Sequence, residues 1–133
     1  MRTLVHFVVE SNRIEGIDRA PTEVEIVATS SFLQLKYVRV DDLEGLVAVL
    51  QPGAVLRALP GLDVRVGPRH VPPPGGPQIM EDLLAILTVA NEGGKPHDVH
   101  CLYENLHPFT DGNGRSGRAL WAWQMVHQNR GGL

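Results

Sequence analysis

A segment of twelve residues combines side-chain types that suit phosphate chemistry. Residues 107–118 read His-Pro-Phe-Thr-Asp-Gly-Asn-Gly-Arg-Ser-Gly-Arg, with an imidazole base, a carboxylate, a Gly-Asn-Gly run and two guanidinium groups. A nucleotide's phosphate chain needs backbone N–H donors, fixed positive charge and usually a carboxylate that holds Mg²⁺. The segment therefore predicts a phosphate-handling site.

The glycines and arginines of this segment are placed to bind anions. Gly112, Asn113 and Gly114 have the backbone freedom to point successive N–H groups in one direction, at the start of the last predicted helix. The positive end of the helix dipole favours negative charge at the same place. Arg115 and Arg118 are three positions apart, so on a helix they share a face and can both reach a polyphosphate.

The histidine and the aspartate supply the remaining chemistry. His107 lies at the end of the preceding predicted helix, where it can take a proton from an incoming hydroxyl. Asp111 lies just before the anion-binding residues and can coordinate a Mg²⁺ ion that bridges two phosphates. Pro108 favours an extended conformation for His107, and Phe109 is expected to anchor the loop in the core.

Parts of this segment also match the patterns of other sites. Residues 112–117 match Gly-x-Gly-x-x-Gly, but a dinucleotide-binding loop needs a buried strand before it and an acidic residue about 20 positions after it. A Walker A loop needs Gly-Lys-Ser/Thr, which the segment lacks. His100, Glu104 and His107 have the spacing of a metal site on one helix face, although Pro108 disturbs the last position.

Size and composition favour a single globular domain over residues 1–133. The 133 residues are 43% hydrophobic, and a formal charge of -3 gives no basic surface for nucleic acid. No run is long enough to span a bilayer, so no membrane partner is expected. One cysteine, Cys101, excludes an internal disulfide framework, and we expect a cytoplasmic protein in which this thiol is buried.

Helical periodicity along most of the chain predicts the elements that position the site. The predicted helices cover about 3–16, 21–33, 41–50, 77–92, 96–106 and 113–128. In the first helix Ser11 and Glu15 fall on the stripe that faces the core. Val24, Val27 and Leu102 are expected on the buried stripes of later helices.

One segment, about residues 62–75, has β character instead. Residues 63–66 alternate between polar and apolar, residues 67–68 read Gly-Pro and indicate a turn, and prolines at 72–74 exclude a helix. We expect a short β-hairpin that forms a flap.

Two motifs carry a family resemblance. Residues 107–118 closely resemble the signature of the Fic family, His-x-Phe-x-(Asp/Glu)-Gly-Asn-Gly-Arg-x-x-Arg, and every fixed position agrees. Residues 11–16, Ser-Asn-Arg-Ile-Glu-Gly, resemble the inhibitory motif of that family, (Ser/Thr)-x-x-x-Glu-(Gly/Asn). The flap and the helix after it also resemble the family. The resemblance implies a mainly α fold, a compact Fic-type helical bundle with one short β-hairpin flap.

The resemblance implies a protein adenylyltransferase, or AMPylase, that moves AMP from ATP to a hydroxyl of a target protein. His107 would be the general base, Asp111 the Mg²⁺ ligand and Arg118 the γ-phosphate partner. The other implied phosphate-binding residues are Gly112, Asn113, Gly114 and Arg115. Asp111 favours AMP transfer, because related Doc-type members that phosphorylate their targets carry Lys at that position.

The flap and the N-terminal helix receive roles from the same resemblance. Flap residues Val66, Gly67, Arg69 and His70 would hold a target segment that bears Ser, Thr or Tyr by strand addition. Ser11, Glu15 and Gly16 would form the inhibitory motif. The inhibition also has a simple physical logic: a carboxylate on an amphipathic helix can pair with Arg118 and compete with the γ-phosphate.

Several alternatives stay open at the level of sequence. The chain would also suit a nucleotide-binding regulatory module without transfer activity, or an enzyme that removes AMP with water oriented by Glu15. UMP or phosphocholine donors are used elsewhere in the family. Self-modification and a homo-oligomer are compatible with the resemblance, and the target protein is not readable from the flap.

Overall fold

The fold is mainly α, as predicted. A computed structural model describes residues 2–129 and contains helices over every segment that was predicted to be helical. Their bounds are α1 Arg2–Ile14, α2 Glu23–Leu33, α3 Val40–Leu50, α4 Pro77–Asn91, α5 Pro96–Leu106 and α6 Asn113–Asn129. None of the helices described is both long and apolar enough to cross a bilayer.

Helix α6 is the centre of the bundle and fixes the site's position. It packs against α5, α2, α3 and α1. The buried hydroxyls of Tyr103 on α5 and Ser116 on α6 are joined at 2.7 Å, and a side chain at Gly117 would collide with Tyr103 and Glu104. The close approach of α5 and α6 therefore depends on a residue without a Cβ atom.

Helix α2 differs from its prediction in both start and buried face. Thr22 is its N-cap, and a capping box joins Thr22 and Glu25, so Pro21 lies before the helix rather than in its first turn. Val24 and Val27, predicted to be buried, are 62% and 56% exposed. Glu25 lies inward instead, because its carboxylate serves both the cap and Arg19.

Helix α5 also buries fewer residues than predicted. Its buried face consists of Val99, Tyr103 and Leu106, and this face leaves Leu102 48% exposed. The prediction that Cys101 is buried is wrong: its thiol is exposed and lies 3.6 Å from His97 Nε2. Cys101 and His97 lie on the side of α5 opposite its buried face.

The flap at 62–75 is not a β-hairpin, so this part of the predicted fold is wrong. Its strand pairing in the described chain is one isolated bridge, in which the Val66 N–H donates to the His70 carbonyl at 3.1 Å. Prolines at 68 and 72–74 remove the N–H donors that a ladder would need. The segment is an extended loop closed at its tip by a single turn.

Candidate functional site

A cavity of about 500 Å³ lies at the N-terminus of α6. Its lining comes from the end of α1, the flap, the last turn of α5 and the start of α6. The lining residues are Glu15, Val64, Arg65, Val66, Glu104, His107, Thr110, Asp111, Gly112, Asn113, Gly114 and Arg118. The fold therefore brings together most of the residues that the sequence predicted for the phosphate site.

A larger depression of about 650 Å³ lies elsewhere, between the outer side of the flap and helices α4 and α5. Its walls are mainly apolar, with Ile86, Val89, Leu102 and Leu106 among them. We place the candidate site in the smaller cavity, because that cavity holds His107, the carboxylates and the helix N-terminus.

The loop before α6 is held in place by Asn113. Its side-chain Oδ1 accepts from the Phe109 N–H at 2.9 Å, and its Nδ2 donates to the Phe109 carbonyl at 2.8 Å. Phe109 is 1% exposed, which confirms that it anchors the loop in the core. The buried side-chain amide of Asn113 thus supplies the hydrogen-bond partners that the N–H and the carbonyl of Phe109 need.

The first turn of α6 presents free backbone donors to the cavity. Gly112 has φ 78, the left-handed conformation that a predicted anion-binding turn requires. Within the part of the chain described, the N–H groups of residues 113–115 donate to no acceptor, and the regular helix bonds start when the Ser116 N–H donates to the Gly112 carbonyl. Unpaired N–H groups and the helix dipole favour the binding of an anion at this end.

His107 adopts a conformation that the sequence did not predict. It is the C-cap of α5 with φ 51 and ψ 63, in the left-handed region, although Pro108 was expected to make it extended. In the structure as described, it is the one residue other than glycine with positive φ. The helix end imposes this geometry, since the His107 N–H still donates to the Tyr103 carbonyl at 2.9 Å.

The His107 ring is oriented by the backbone of its own helix. Its Nδ1 lies 3.2 Å from the Glu104 carbonyl oxygen. This contact favours the tautomer in which Nδ1 carries the proton and donates it to the carbonyl. Nε2 is then the nitrogen that can accept a proton in the cavity.

Arg118 is engaged by the N-terminal helix. Its Nε donates to Ser11 Oγ at 2.9 Å, and its Nη2 donates to the Ser11 carbonyl at 2.9 Å and to Glu15 Oε2 at 2.8 Å. A methyl group on Gly114 would collide with the Glu15 carboxylate, so that carboxylate lies against the first turn of α6. Gly16 follows α1 as part of the turn that ends it.

Arg115 does not line the cavity. It is 4% exposed, and its Nη2 donates to Gln51 Oε1 at 2.8 Å while Nη1 lies 3.4 Å from Asn12 Oδ1 and 3.7 Å from Glu25 Oε2. Burial lowers the pKa of its guanidinium. The structure thus places Arg115 in a buried polar network beneath α1 rather than beside the predicted phosphates.

Of the flap residues predicted to bind a target, only Val66 lines the cavity. Gly67 and Arg69 lie at the exposed tip, and His70 Nε2 lies 3.0 Å from the Asn105 carbonyl on the outer side. Val64 and Arg65, which precede the tip, face the cavity as well. The sequence pattern did not show that the flap residues before the tip face the cavity and those after it do not.

Glu104 is a partly buried carboxyl beside His107. Burial raises the pKa of the Glu104 carboxyl, while the nearby His100, His107 and Arg118 oppose that shift.

The metal site predicted as an alternative for His100, Glu104 and His107 is not formed, because the described chain brings no three His, Cys, Asp or Glu residues together for a metal ion. Asp111 is an exposed carboxylate at the cavity and fits Mg²⁺, which often uses one carboxylate together with phosphate oxygens and water.

Sequence reasoning missed Arg57 and Gln51. Arg57 is 0% exposed and donates to the carbonyls of Leu106 and His107, and Gln51 holds Arg115. Both lie outside any motif, in segments with no chemical pattern. No signal in the sequence indicated that their partners lie about 50 to 64 positions away.

Part of the chain matches a known protein family. The family model described as Fic/DOC family matches residues 69–125, which include α4, α5, the loop and most of α6. The match covers 57 of the 133 residues, so this part of the chain is similar to the Fic/DOC family. The match does not include α1 with Glu15. No curated protein and no solved structure matches the chain.

Proposed function

We propose that this protein is an adenylyltransferase that moves AMP from ATP to a hydroxyl of a target protein. The observation that carries the proposal is that His107, Asp111, the free N–H groups of α6 and Arg118 line one cavity. A base beside an anion-binding helix end and a guanidinium suits transfer of a phosphate-linked group.

In this proposal the triphosphate is bound along the N-terminus of α6. The N–H groups of residues 113–115 would bind the α- and β-phosphates, and Arg118 would bind the γ-phosphate with a two-pronged guanidinium. Asp111 would hold Mg²⁺, which neutralises charge on the phosphates and on the leaving pyrophosphate. This arrangement leaves the α-phosphorus close to His107.

The chemical step then uses His107 as general base. Nε2 takes the proton from the target hydroxyl, whose oxygen forms a bond to the α-phosphorus. The bond from that phosphorus to the bridging oxygen breaks, and pyrophosphate leaves with the bonding electrons. The products are AMP linked to the target through a phosphodiester and a protonated imidazole that must release its proton to solvent.

Residues 64–66, the part of the flap that precedes its tip, would hold the target so that its hydroxyl faces the cavity. Val64, Arg65 and Val66 line the cavity, and the backbone groups of Val64 and Arg65 form no hydrogen bond within the described residues. Such an unpaired, extended segment can accept another chain as an added strand. Because strand addition uses backbone groups, it fits targets of varied sequence.

Helix α1 would hold this activity off in the structure as described. Glu15 occupies Arg118 and lies against Gly114, where the triphosphate is proposed to bind. A bound γ-phosphate would have to displace that carboxylate or share the guanidinium with it. We propose that this inhibition acts within one chain, through the contact between Glu15 and Arg118.

Radiolabelled ATP tests the proposal directly. The Glu15→Gly variant, incubated with Mg²⁺ and a cell lysate, should add labelled proteins from [α-³²P]ATP that the lysate alone does not show. It should add none from [γ-³²P]ATP above the lysate's own kinase background, because AMP retains only the α-phosphorus. Additional replacement His107→Ala should abolish the added label. Added, His107-dependent label from the γ-position would indicate phosphorylation, and saturable nucleotide binding without added label would favour the nucleotide-binding module.

A further inference from the structure

Arg57 places a full positive charge where no solvent reaches. The side chain is 0% exposed and hydrogen-bonds only to backbone carbonyls. Its Nε donates to His107 O at 2.7 Å and its Nη2 to Leu106 O at 2.9 Å. Its Nη1 donates to Leu62 O at 3.0 Å and to Pro73 O at 2.9 Å. One guanidinium therefore joins the end of α5 to both ends of the flap.

The backbone of Arg57 continues the same connection. Its N–H donates to the Pro108 carbonyl at 2.8 Å, and its carbonyl accepts from the Gly76 N–H at 2.9 Å. Pro108 belongs to the loop before α6, and Gly76 connects the flap to α4. The residue thus bonds to the loop on one side and to the flap on the other through both its side chain and its backbone.

Simple packing would not require a charge at this position. Arg57 forms no ion pair with a carboxylate in the described chain, and burial lowers its pKa while the charge of Asp63 opposes that shift. A buried cation without a partner charge is costly, and an apolar side chain of similar length would fill the space more cheaply. What an apolar side chain cannot supply is a planar array of donors for carbonyls of separate segments.

The His107 backbone needs such a restraint. A residue before proline prefers β or polyproline geometry, and a non-glycine residue in the left-handed region is strained, so φ 51 at His107 persists only if its surroundings fix it. The bond from Arg57 Nε holds the carbonyl of that same residue. Loss of this bond would let the peptide between His107 and Pro108 rotate and turn the imidazole away.

We infer that Arg57 is a positioning residue that fixes the orientation of His107 and the two ends of the flap as one unit. A target segment that binds the flap would therefore act on the same guanidinium that holds the proposed base. The inference rests on the proposed function for its catalytic meaning. Its structural content, a link between flap and His107, is testable without any transfer reaction.

NMR on the Glu15→Gly chain provides that test. In the Arg57→Lys variant the charge remains but the planar fork is lost, so amide exchange at Val66 should accelerate by about tenfold or more as the flap loosens. The ¹⁵N shifts of the His107 ring should move from the Nδ1-protonated form toward a mixture of tautomers. The control is Arg39→Lys, at an exposed position before α3.

A second variant perturbs the flap and not the buried Arg57, and so tests the connection between the flap and His107 from the other end. Gly67 has φ 63, so Gly67→Ala should strain the turn at the flap tip and break the Val66–His70 bridge. If the flap and the base form one unit, the His107 ring shifts should respond to this distant change. Gly93→Ala, at a turn glycine with φ 85 after α4, is the matched control and should leave them unchanged.

The possible outcomes separate this inference from the proposed function. Shifts at His107 in both Arg57→Lys and Gly67→Ala would support the link even if no AMP transfer is ever detected. Unchanged His107 shifts in Gly67→Ala, with Val66 exchange accelerated, would overturn it. If Arg57→Lys does not fold, Gly67→Ala alone decides.

Discussion

Removing the charge of Glu15 should strengthen ATP binding by an amount that the geometry sets. Arg118 donates to Glu15 at 2.8 Å, and the two side chains are 21% and 39% exposed. Exposed ion pairs contribute about 0.2–1 kcal/mol and hydrogen bonds to charged groups about 1.5–3 kcal/mol. Because this pair is partly solvated, we take about 1–2 kcal/mol, which corresponds to a roughly 5- to 30-fold lower Kd for Mg-ATP in Glu15→Gln.

Isothermal titration calorimetry measures this difference. The variants are made in a His107→Ala background, so that turnover does not distort the heats. Glu10→Gln is a matched control, because Glu10 lies on α1, which ends one residue before Glu15, and the ion pair of Glu10 with Arg13, at 3.2 Å, is exposed and outside the cavity. This control removes the same charge from the same N-terminal segment and should leave the Kd for Mg-ATP nearly unchanged.

Two results would refute the reasoning. If Glu15→Gln and Glu10→Gln improve ATP binding equally, the effect is one of net charge and not of competition for Arg118. If neither variant binds more tightly than the parent chain, the contact between Arg118 and Glu15 does not oppose nucleotide binding.

The remaining predictions concern the elements that support the site. The hydrogen-bonded Arg19 guanidinium lowers the pKa of Glu25 from 4.5 to about 2. The stability from this pair is therefore complete above about pH 4.5 and is lost as pH falls toward 2. Arg19→Ala should remove this pH dependence, which would appear as a flatter acid limb when the free energy of unfolding from urea titrations is plotted against pH. Asn113→Ala leaves the Phe109 N–H and carbonyl unpaired and should cost about 2–4 kcal/mol in the same assay, whereas an unchanged unfolding midpoint would show that the loop does not depend on this amide.

The residues that line the cavity at the start of α6 were predictable because most of them are adjacent in sequence. His107, Asp111 and the Gly-Asn-Gly run lie within one loop, and the loop's own geometry brings them to the cavity. The six helices were predictable from their periodicity and from Pro and Gly at their ends. Short sequence patterns predicted the structure correctly where the residues that determine it are separated by only a few positions in the chain.

The rest depends on partners that are distant in the sequence. Arg57 bonds to carbonyls of residues 62, 73, 106 and 107, which no side-chain pattern can reveal. The rule for a residue before proline was wrong at His107, because a helix end and a buried guanidinium outweigh it. Arg115 was assigned to phosphates by its spacing from Arg118, but Gln51, Asn12 and the helix above it bury its guanidinium.

The central claim is that a triphosphate binds at the N-terminus of α6 beside His107. A crystal structure of the Glu15→Gly variant with Mg²⁺ and a non-hydrolysable ATP analogue tests it most directly. We predict phosphate oxygens on the N–H groups of residues 113–115, the γ-phosphate on Arg118, and the α-phosphorus facing His107 Nε2. A nucleotide bound elsewhere, with this cavity empty and Arg118 still bonded only to Ser11, would contradict the claim.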